Sequence, residues 1–294
     1  MKVSLGPVLF FWSKQKIYDY YEQMLQTPVD IIYLGETVCS KRRELSTAEW
    51  LELGKHLAAS GKEVLLSSMA LLMAESEVST LRTICNNSSL RVEANDLSAV
   101  QLLSEKKLPF VCGPSTNIYN GRTLQVMQRK GAFRWVMPVE LSGACLKSIL
   151  QQAQTLGFSD DIETEVFSYG HLPLAYSARC FTARHRNLPK DDCQFKCLDY
   201  PEGIEVKSQE QQQLFNLNGI QTQSAYVYNL LGQVAEMKAM GVDIVRVSPR
   251  EQGTEEIINR FKAAQNEVLN EIPLNDDMCN GYWYAKPGMD YIAG

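Results

Sequence analysis

At 294 residues with 45% hydrophobic content, the chain is long enough to bury a continuous core without cross-links. Its net charge of −5 and pI near 5.4 lack the basic footprint of a protein whose main partner is nucleic acid, so no nucleic-acid partner is expected. The apolar stretch Val8–Trp12 stops at Ser13 and Lys14, short of a signal-peptide core. No segment approaches the roughly 18 apolar residues of a membrane span, and the expectation is a cytoplasmic protein with no transmembrane segment.

In chain order, short apolar and β-branched runs predict strands at Val3–Leu5, Ile31–Leu34, Val64–Ser67, Leu90–Glu93, Pro109–Gly113, Arg134–Val139, Thr164–Ser168 and Gln213–Leu217, with Val242–Val247 as a further candidate. Amphipathic segments alternate with them. Ser46, with Glu49 three residues on, opens the periodic run Trp50, Leu51, Leu53, Leu57 as a capping box would, and Gly61 ends it. Strands alternating with helices predict a parallel sheet, and eight or nine of them in this length predict an α/β fold of the (β/α)8 TIM-barrel type. The Met and Leu residues of Met69–Met73 are expected in the core.

The organisation expected is one domain over residues 1–294, with an irregular cysteine-bearing insertion at 178–207. That segment lacks periodicity and is rich in Arg, Lys, Asp and Pro. A loop of this length inside a compact domain is usually functional. The segment after Ile272, which includes NDDMCNGYWYAKPG, is expected to be a packing tail.

The insertion holds Cys180, Cys193 and Cys197, spaced C-x12-C-x3-C, out of eight cysteines in the chain. In a reducing compartment such a group reads as metal-ligating or catalytic rather than disulfide-bonded. Two close thiolates and a more distant one gather soft ligands at one place, and the missing C-x2-C knuckle leans the spacing toward iron–sulfur. A Cys3His zinc site using His185, and redox-active thiols, stay open.

A cubane needs a fourth ligand from Cys39, Cys85, Cys112, Cys145 or Cys279. Loops after the C-terminal ends of barrel strands share one face. Cys39 follows the second predicted strand and Cys180 follows the seventh, so both belong to that face, whereas Cys85 precedes a strand, Cys145 lies in a predicted helix and Cys279 in the tail. Cys112 sits within a strand, where a small buried hydrophobe is the ordinary role, and is the weaker rival.

CSKRR at 39–43, SYGHLPLAYSARCFTAR at 168–184, PKDDCQFKC at 189–197 and LNGIQT at 217–222 resemble the ubiquinone-biosynthesis members of the collagenase-like peptidase family. The likeness runs from SLGPVLFFW to CNGYW. It implies a barrel-like fold and a 4Fe-4S cluster held by Cys39, Cys180, Cys193 and Cys197. It further implies oxygen-independent hydroxylation of the ubiquinone precursor ring by a heterodimer with a UbiU-like paralogue. Related members hydroxylate RNA bases, and prephenate is the hydroxyl donor associated with that chemistry. Peptidase activity is not expected, since the sequence has no G-x-S-x-G elbow, no H-E-x-x-H helix and no thiol-protease signature.

Other residues divide between a site role and a plainer one. Lys41, Arg42 and Arg43 suit an anionic substrate, the charge of a thiolate-ligated cluster, or a solvated run; Arg43 is the substrate-binding choice. His171 suits a substrate contact or a structural hydrogen bond. Glu36 and Glu140, each ending a predicted strand, suit the functional face of a barrel or a buried ion pair. Asn218 and Gln221 suit a polar ligand, although Asn-Gly is first a turn signal. Tyr176 and Phe181 are expected to shield the cluster. A non-catalytic binding or assembly subunit with a structural metal, and an accessory role in RNA-base hydroxylation, are the alternative functions.

Overall fold

The computed structural model describes residues 1–265 and 277–293. Its strands are β1 (Lys2–Leu5), β2 (Ile31–Leu34), β3 (Glu63–Ser67), β4 (Arg91–Ala94), β5 (Phe110–Cys112), β6 (Ala132–Val136), β7 (Glu163–Tyr176), β8 (Ile204–Lys207), β9 (Gln213–Asn218), β10 (Gln221–Asn229), β11 (Ile244–Val247) and β12 (Met278–Cys279). The helices are α1 (Lys14–Leu25), α2 (Thr47–Ala58), α3 (Glu75–Cys85), α4 (Leu97–Glu105), α5 (Gly121–Arg129), α6 (Gly143–Thr155), α7 (Phe181–His185), α8 (Val234–Met240) and α9 (Thr254–Ala264).

Strands β1 to β7 pair in parallel, each with the next, and β11 pairs in parallel with both β7 and β1, which closes an eight-stranded (β/α)8 barrel. The period of two within each strand splits its side chains between two layers. Ile31, Tyr33, Leu65, Val111, Val136 and Ile244 pack together inside the barrel, while Ile32, Leu34, Val64, Leu66, Cys112 and Val245 join the layer under the helices. Cys112 therefore belongs to the packing between sheet and helices and is fully buried there.

Four features depart from the sequence reading. Gln213–Leu217 is not a barrel strand: β9 is antiparallel to β8 and β10, and the eighth barrel strand is Ile244–Val247. β7 is much longer than Thr164–Ser168, and its last residues leave the barrel to pair antiparallel with β10, His171 opposite Val227 and Tyr176 opposite Gln221. β6 ends at Val136, so Glu140 falls in the following turn. Met69–Met73 forms a half-buried loop on the site face, with Met73 42% exposed, because the chain has already left β3 when these residues arrive.

The insertion fills the crossover after β7 with α7 and two short 3-10 turns, and it ends where β8 joins the hairpin. The expected packing tail lies outside the described residues up to residue 276; beyond it, β12 pairs with β10. Trp283 packs so closely on Gly143 that a Cβ there would stand 2.7 Å from the indole. Ser46 caps α2 in the capping box that its sequence announces. Among the described residues no helix is long and apolar enough to cross a membrane.

Candidate functional site

The four cysteines come from three separated stretches of chain; Cys39, Cys180 and Cys197 lie near one another, and Cys193 lies beside Lys41. Cys39 lies in the loop after β2, where the Glu36 carboxylate accepts hydrogen bonds from the amides of Val38 at 2.8 Å and Cys39 at 3.0 Å and so fixes the loop. A turn follows, with Arg42 N donating to the Cys39 carbonyl at 2.9 Å. Cys180 caps α7, its sulfur accepting from Ala183 N at 3.4 Å. Cys193 ends the 3-10 turn Lys190–Asp192, and Cys197 sits in the next one, Lys196–Asp199. Between them Gln194 and Phe195 both take left-handed backbone, at φ +51° and +53°, which folds the short C-x3-C spacing back on itself.

Cys39 and Cys180 pack together on Leu9, Val38 and Ile220, with Leu71 and Tyr176 beside them. Cys180 and Cys197 lie close enough to perturb each other's titration. The neighbouring Cys180, and then Arg42 and Thr182, draw Cys197 below the usual thiol range, while Cys180 is pushed up. Burial raises Cys39. Burial also pushes the Glu36 carboxyl up to about 7, against the opposing pull of Arg42 and of the two amides. Lys41 ties the Cys39 loop to the Cys193 turn, donating to the Lys190 carbonyl and the Asp191 carboxylate, each at 2.9 Å.

Arg42 is the centre of the arrangement. Its side chain is 2% exposed. Nη1 donates to the Leu9 carbonyl at 2.8 Å and Nη2 to Asn218 Oδ1 at 2.6 Å, and the nearest carboxylate oxygen, on Glu36, is 4.0 Å away. Asn218 is held in turn by Leu9 O and Gln221 Oε1, and Gln221 donates to the Tyr176 hydroxyl at 2.7 Å. The β9–β10 hairpin turns at Gly219 with φ +65°, a Gly at the first central position as a type II′ turn requires. A Cβ there would stand 2.8 Å from Arg42 Nη2 and 3.7 Å from Cys197 Sγ.

The residues singled out from sequence fall in different places. Cys39, Cys180, Cys197, Glu36 and Asn218 come together, the last two as positioning groups for the cysteine loop and for Arg42, and Cys193 lies in the neighbouring turn that Lys41 ties to the Cys39 loop. Arg43 is exposed and donates only to Ser40 O at 3.2 Å. Glu140 is exposed and accepts from the Tyr119 hydroxyl at 2.6 Å, with no contact to the cysteines. His171 donates from Nδ1 to the Ser224 carbonyl at 2.9 Å. It lines a separate cavity of about 360 Å³ with Tyr169, Glu202 and Arg250, where burial and then Arg250 lower its pKa. His185 is exposed and sits edge-on to Tyr200, 6.3 Å between centroids.

The sequence reading missed that Arg42, not Arg43, is buried.

Among the described residues no three His, Cys, Asp or Glu side chains converge as ligands of a single metal ion. A zinc ion bound at about 2.3 Å to each sulfur would demand such convergence. A cubane cluster spreads its four thiolates more widely. Cys39 and Cys197 lie beside the buried Arg42 guanidinium, a setting that favours thiolates.

Residues 18–280 match the sequence model of peptidase family U32. Among solved structures, the chain is similar to DHPS from Yersinia pestis with a pterine-sulfa conjugate, at 11% identity over 90% of this chain and 92% of that one, TM-score 0.46. It is similar to 7,8-dihydropteroate synthase from Vibrio fischeri at 10% identity, covering 90% and 92%, TM-score 0.45. Thiamine phosphate pyrophosphorylase from Pyrococcus furiosus is also similar, at 10% identity over 92% and 97%, TM-score 0.44. The barrel assignment rests on strand order and register.

Proposed function

The chain belongs to peptidase family U32, and within it we propose a UbiV-type protein: a 4Fe-4S protein that acts with a UbiU-like paralogue in oxygen-independent hydroxylation of the ubiquinone precursor ring. The observation that supports this reading is the approach of Cys39, Cys180 and Cys197 to one another beside the buried Arg42, with Cys193 in the adjoining turn that Lys41 ties to the Cys39 loop. These four thiolates would hold the cluster, which when bound supplies one-electron chemistry.

The protein's own residues set its surroundings. Arg42 and Thr182 favour the thiolate at Cys197, and Arg42 offsets the negative charge that four thiolates bring. Glu36 and Lys41 fix the two loops relative to each other. The apolar group of Leu9, Val38, Ile220 and Leu71 covers one side and keeps water from it.

Peptide hydrolysis finds no support in the same geometry. A thiol protease needs a thiol paired with an imidazole. Here His171 is bonded to a carbonyl, His56 pairs with Glu22 at 2.6 Å, and His185 lies against Tyr200.

The test is anoxic reconstitution of the chain with its UbiU-like paralogue, a ubiquinone precursor and prephenate, with the ring product followed by mass. Addition of one oxygen to the ring that is lost with Cys180→Ala is the expected result. Equal product from the variant would remove the cluster from the function.

A further inference from the structure

The chain is acidic overall, with 29 Lys and Arg against 34 Asp and Glu. Residues 179–190 reverse that balance. Arg179, Arg184, Arg186 and Lys190 fall within them, and no Asp or Glu does. Cys180 belongs to the same stretch, and a cavity of about 480 Å³ lies over it, walled by Arg179, Cys180, Arg184, Asn187, Leu188 and Lys190.

The charge at this cavity is unanswered. Arg179 and Arg184 are exposed, and among the described residues neither makes an ion pair or a side-chain hydrogen bond. Lys190 donates only to neutral groups, chief among them the Ala178 carbonyl at 2.7 Å. The acids that follow are partly taken, Asp191 by Lys41, and Asp199 by Arg186 and Lys196. Three cations without counter-charge at one place create a positive potential that draws in an anionic partner and speeds its approach.

The patch is also short. Asp191 and Asp192 bound it in sequence, which disfavours the long phosphate backbone of a nucleic acid. Electron-transfer encounters use small interfaces, and this one has a proposed cluster ligand, Cys180, in its wall.

We infer that this basic patch docks an acidic one-electron carrier protein, whose carboxylates meet Arg179, Arg184 and Lys190. One electron then passes from the reduced carrier to the oxidised cluster, and no bond forms or breaks. That transfer rests on the function proposed above; docking at the patch does not.

The test is calorimetric titration of the full chain, purified without oxygen, with an acidic plant-type 2Fe-2S ferredoxin at about 20 mM and about 300 mM salt, and iron measured on the same samples. Binding at the lower salt is expected, weakened at least about tenfold at the higher. Arg179→Glu combined with Arg184→Glu should weaken it at least about tenfold and leave iron content unchanged, since both side chains are exposed and unpaired. Arg122→Glu combined with Arg129→Glu, exposed on α5, makes the same change of net charge away from the patch and should bind within about threefold of the wild type. Reduced ferredoxin should reduce the wild type at least about tenfold faster than the Arg179/Arg184 variant in stopped flow, while photoreduced deazaflavin reduces both at one rate.

Equal ferredoxin affinity in the two double variants would overturn the inference. So would tighter binding of a single-stranded RNA of about 30 nucleotides at the same salt, or docking on the iron-loaded chain without electron transfer. Patch-dependent binding by a chain that carries no iron upholds the docking surface and sinks the proposed cluster instead. Iron at full content with no ferredoxin binding does the reverse.

Discussion

Two buried arginines meet opposite surroundings in this barrel. Arg246, inside the strands, lies 2.7 Å from both Glu93 and Glu165. Glu165 also accepts from the Tyr33 hydroxyl at 2.6 Å, and Arg134 reaches that hydroxyl at 2.9 Å while pairing with Glu63 and Glu163 at the far end. Every charge there has a counter-charge within the protein. Arg42, at the site face, has two neutral acceptors, a sulfur, and a carboxylate only at 4.0 Å. If the proposed cluster is held here, its charge would add to that of Cys197 as the counter-charge of this buried cation. The first network is closed by charge pairs within the barrel, and the second borders the proposed cluster site.

The largest effect that would break this comparison lies in the interior. Arg246→Ala leaves Glu93 and Glu165 buried without their cation and should cost about 3 to 5 kcal/mol in urea denaturation. A loss below about 1 kcal/mol would show that the interior is not closed by charge pairing. The same network predicts a pH dependence. Burial alone would raise Glu165, but the charges of Arg246 and Arg134 hold it below the ordinary carboxylate range. Its contribution is therefore fully present above the unfolded value of about 4.3 and is lost as pH falls through the lower folded value. Glu165→Gln should flatten the stability profile in that acid window; a profile as steep as the wild type's would assign the acid loss to other groups.

A smaller effect belongs to the site. Gly219→Ala places a Cβ at a left-handed position and against Arg42, and should cost about 1 to 3 kcal/mol and reduce bound iron. Unchanged iron would mean that the hairpin does not hold Arg42 in place. The smallest effect is Lys41→Ala. It should leave denaturation unchanged, because its partner Asp191 is solvent-exposed, yet speed iron loss to a chelator by untying the Cys39 loop from the Cys193 turn. Iron released at the wild-type rate would remove Lys41 from the account.

The barrel was readable because each strand is a short apolar run with a fixed period. Gln213–Leu217 carries a visible signal against a barrel strand. Asn218-Gly219 lies between two alternating segments, which is the mark of a hairpin and not of a crossover. The length of β7 was not readable, since Gly170 and Pro173 look like its end; antiparallel pairing with β10 carries the strand past them. The meeting of Cys39 with Cys180 followed from strand ends alone. Arg42 could not be told from Lys41 and Arg43 in KRR, because burial there is decided by the Leu9 carbonyl and by Asn218, which lies 176 residues away.

Whether Cys39, Cys180, Cys193 and Cys197 hold the proposed cluster is tested most directly by iron and acid-labile sulfide content. The samples are the wild type, the single Ala variants of Cys39, Cys180, Cys193 and Cys197, and Cys112→Ala, all purified without oxygen. About four irons and four sulfides per chain are predicted for the wild type and for Cys112→Ala, with a sharp fall in each of the other variants. Zinc without sulfide, or iron retained at full content in Cys39→Ala, would contradict the proposal.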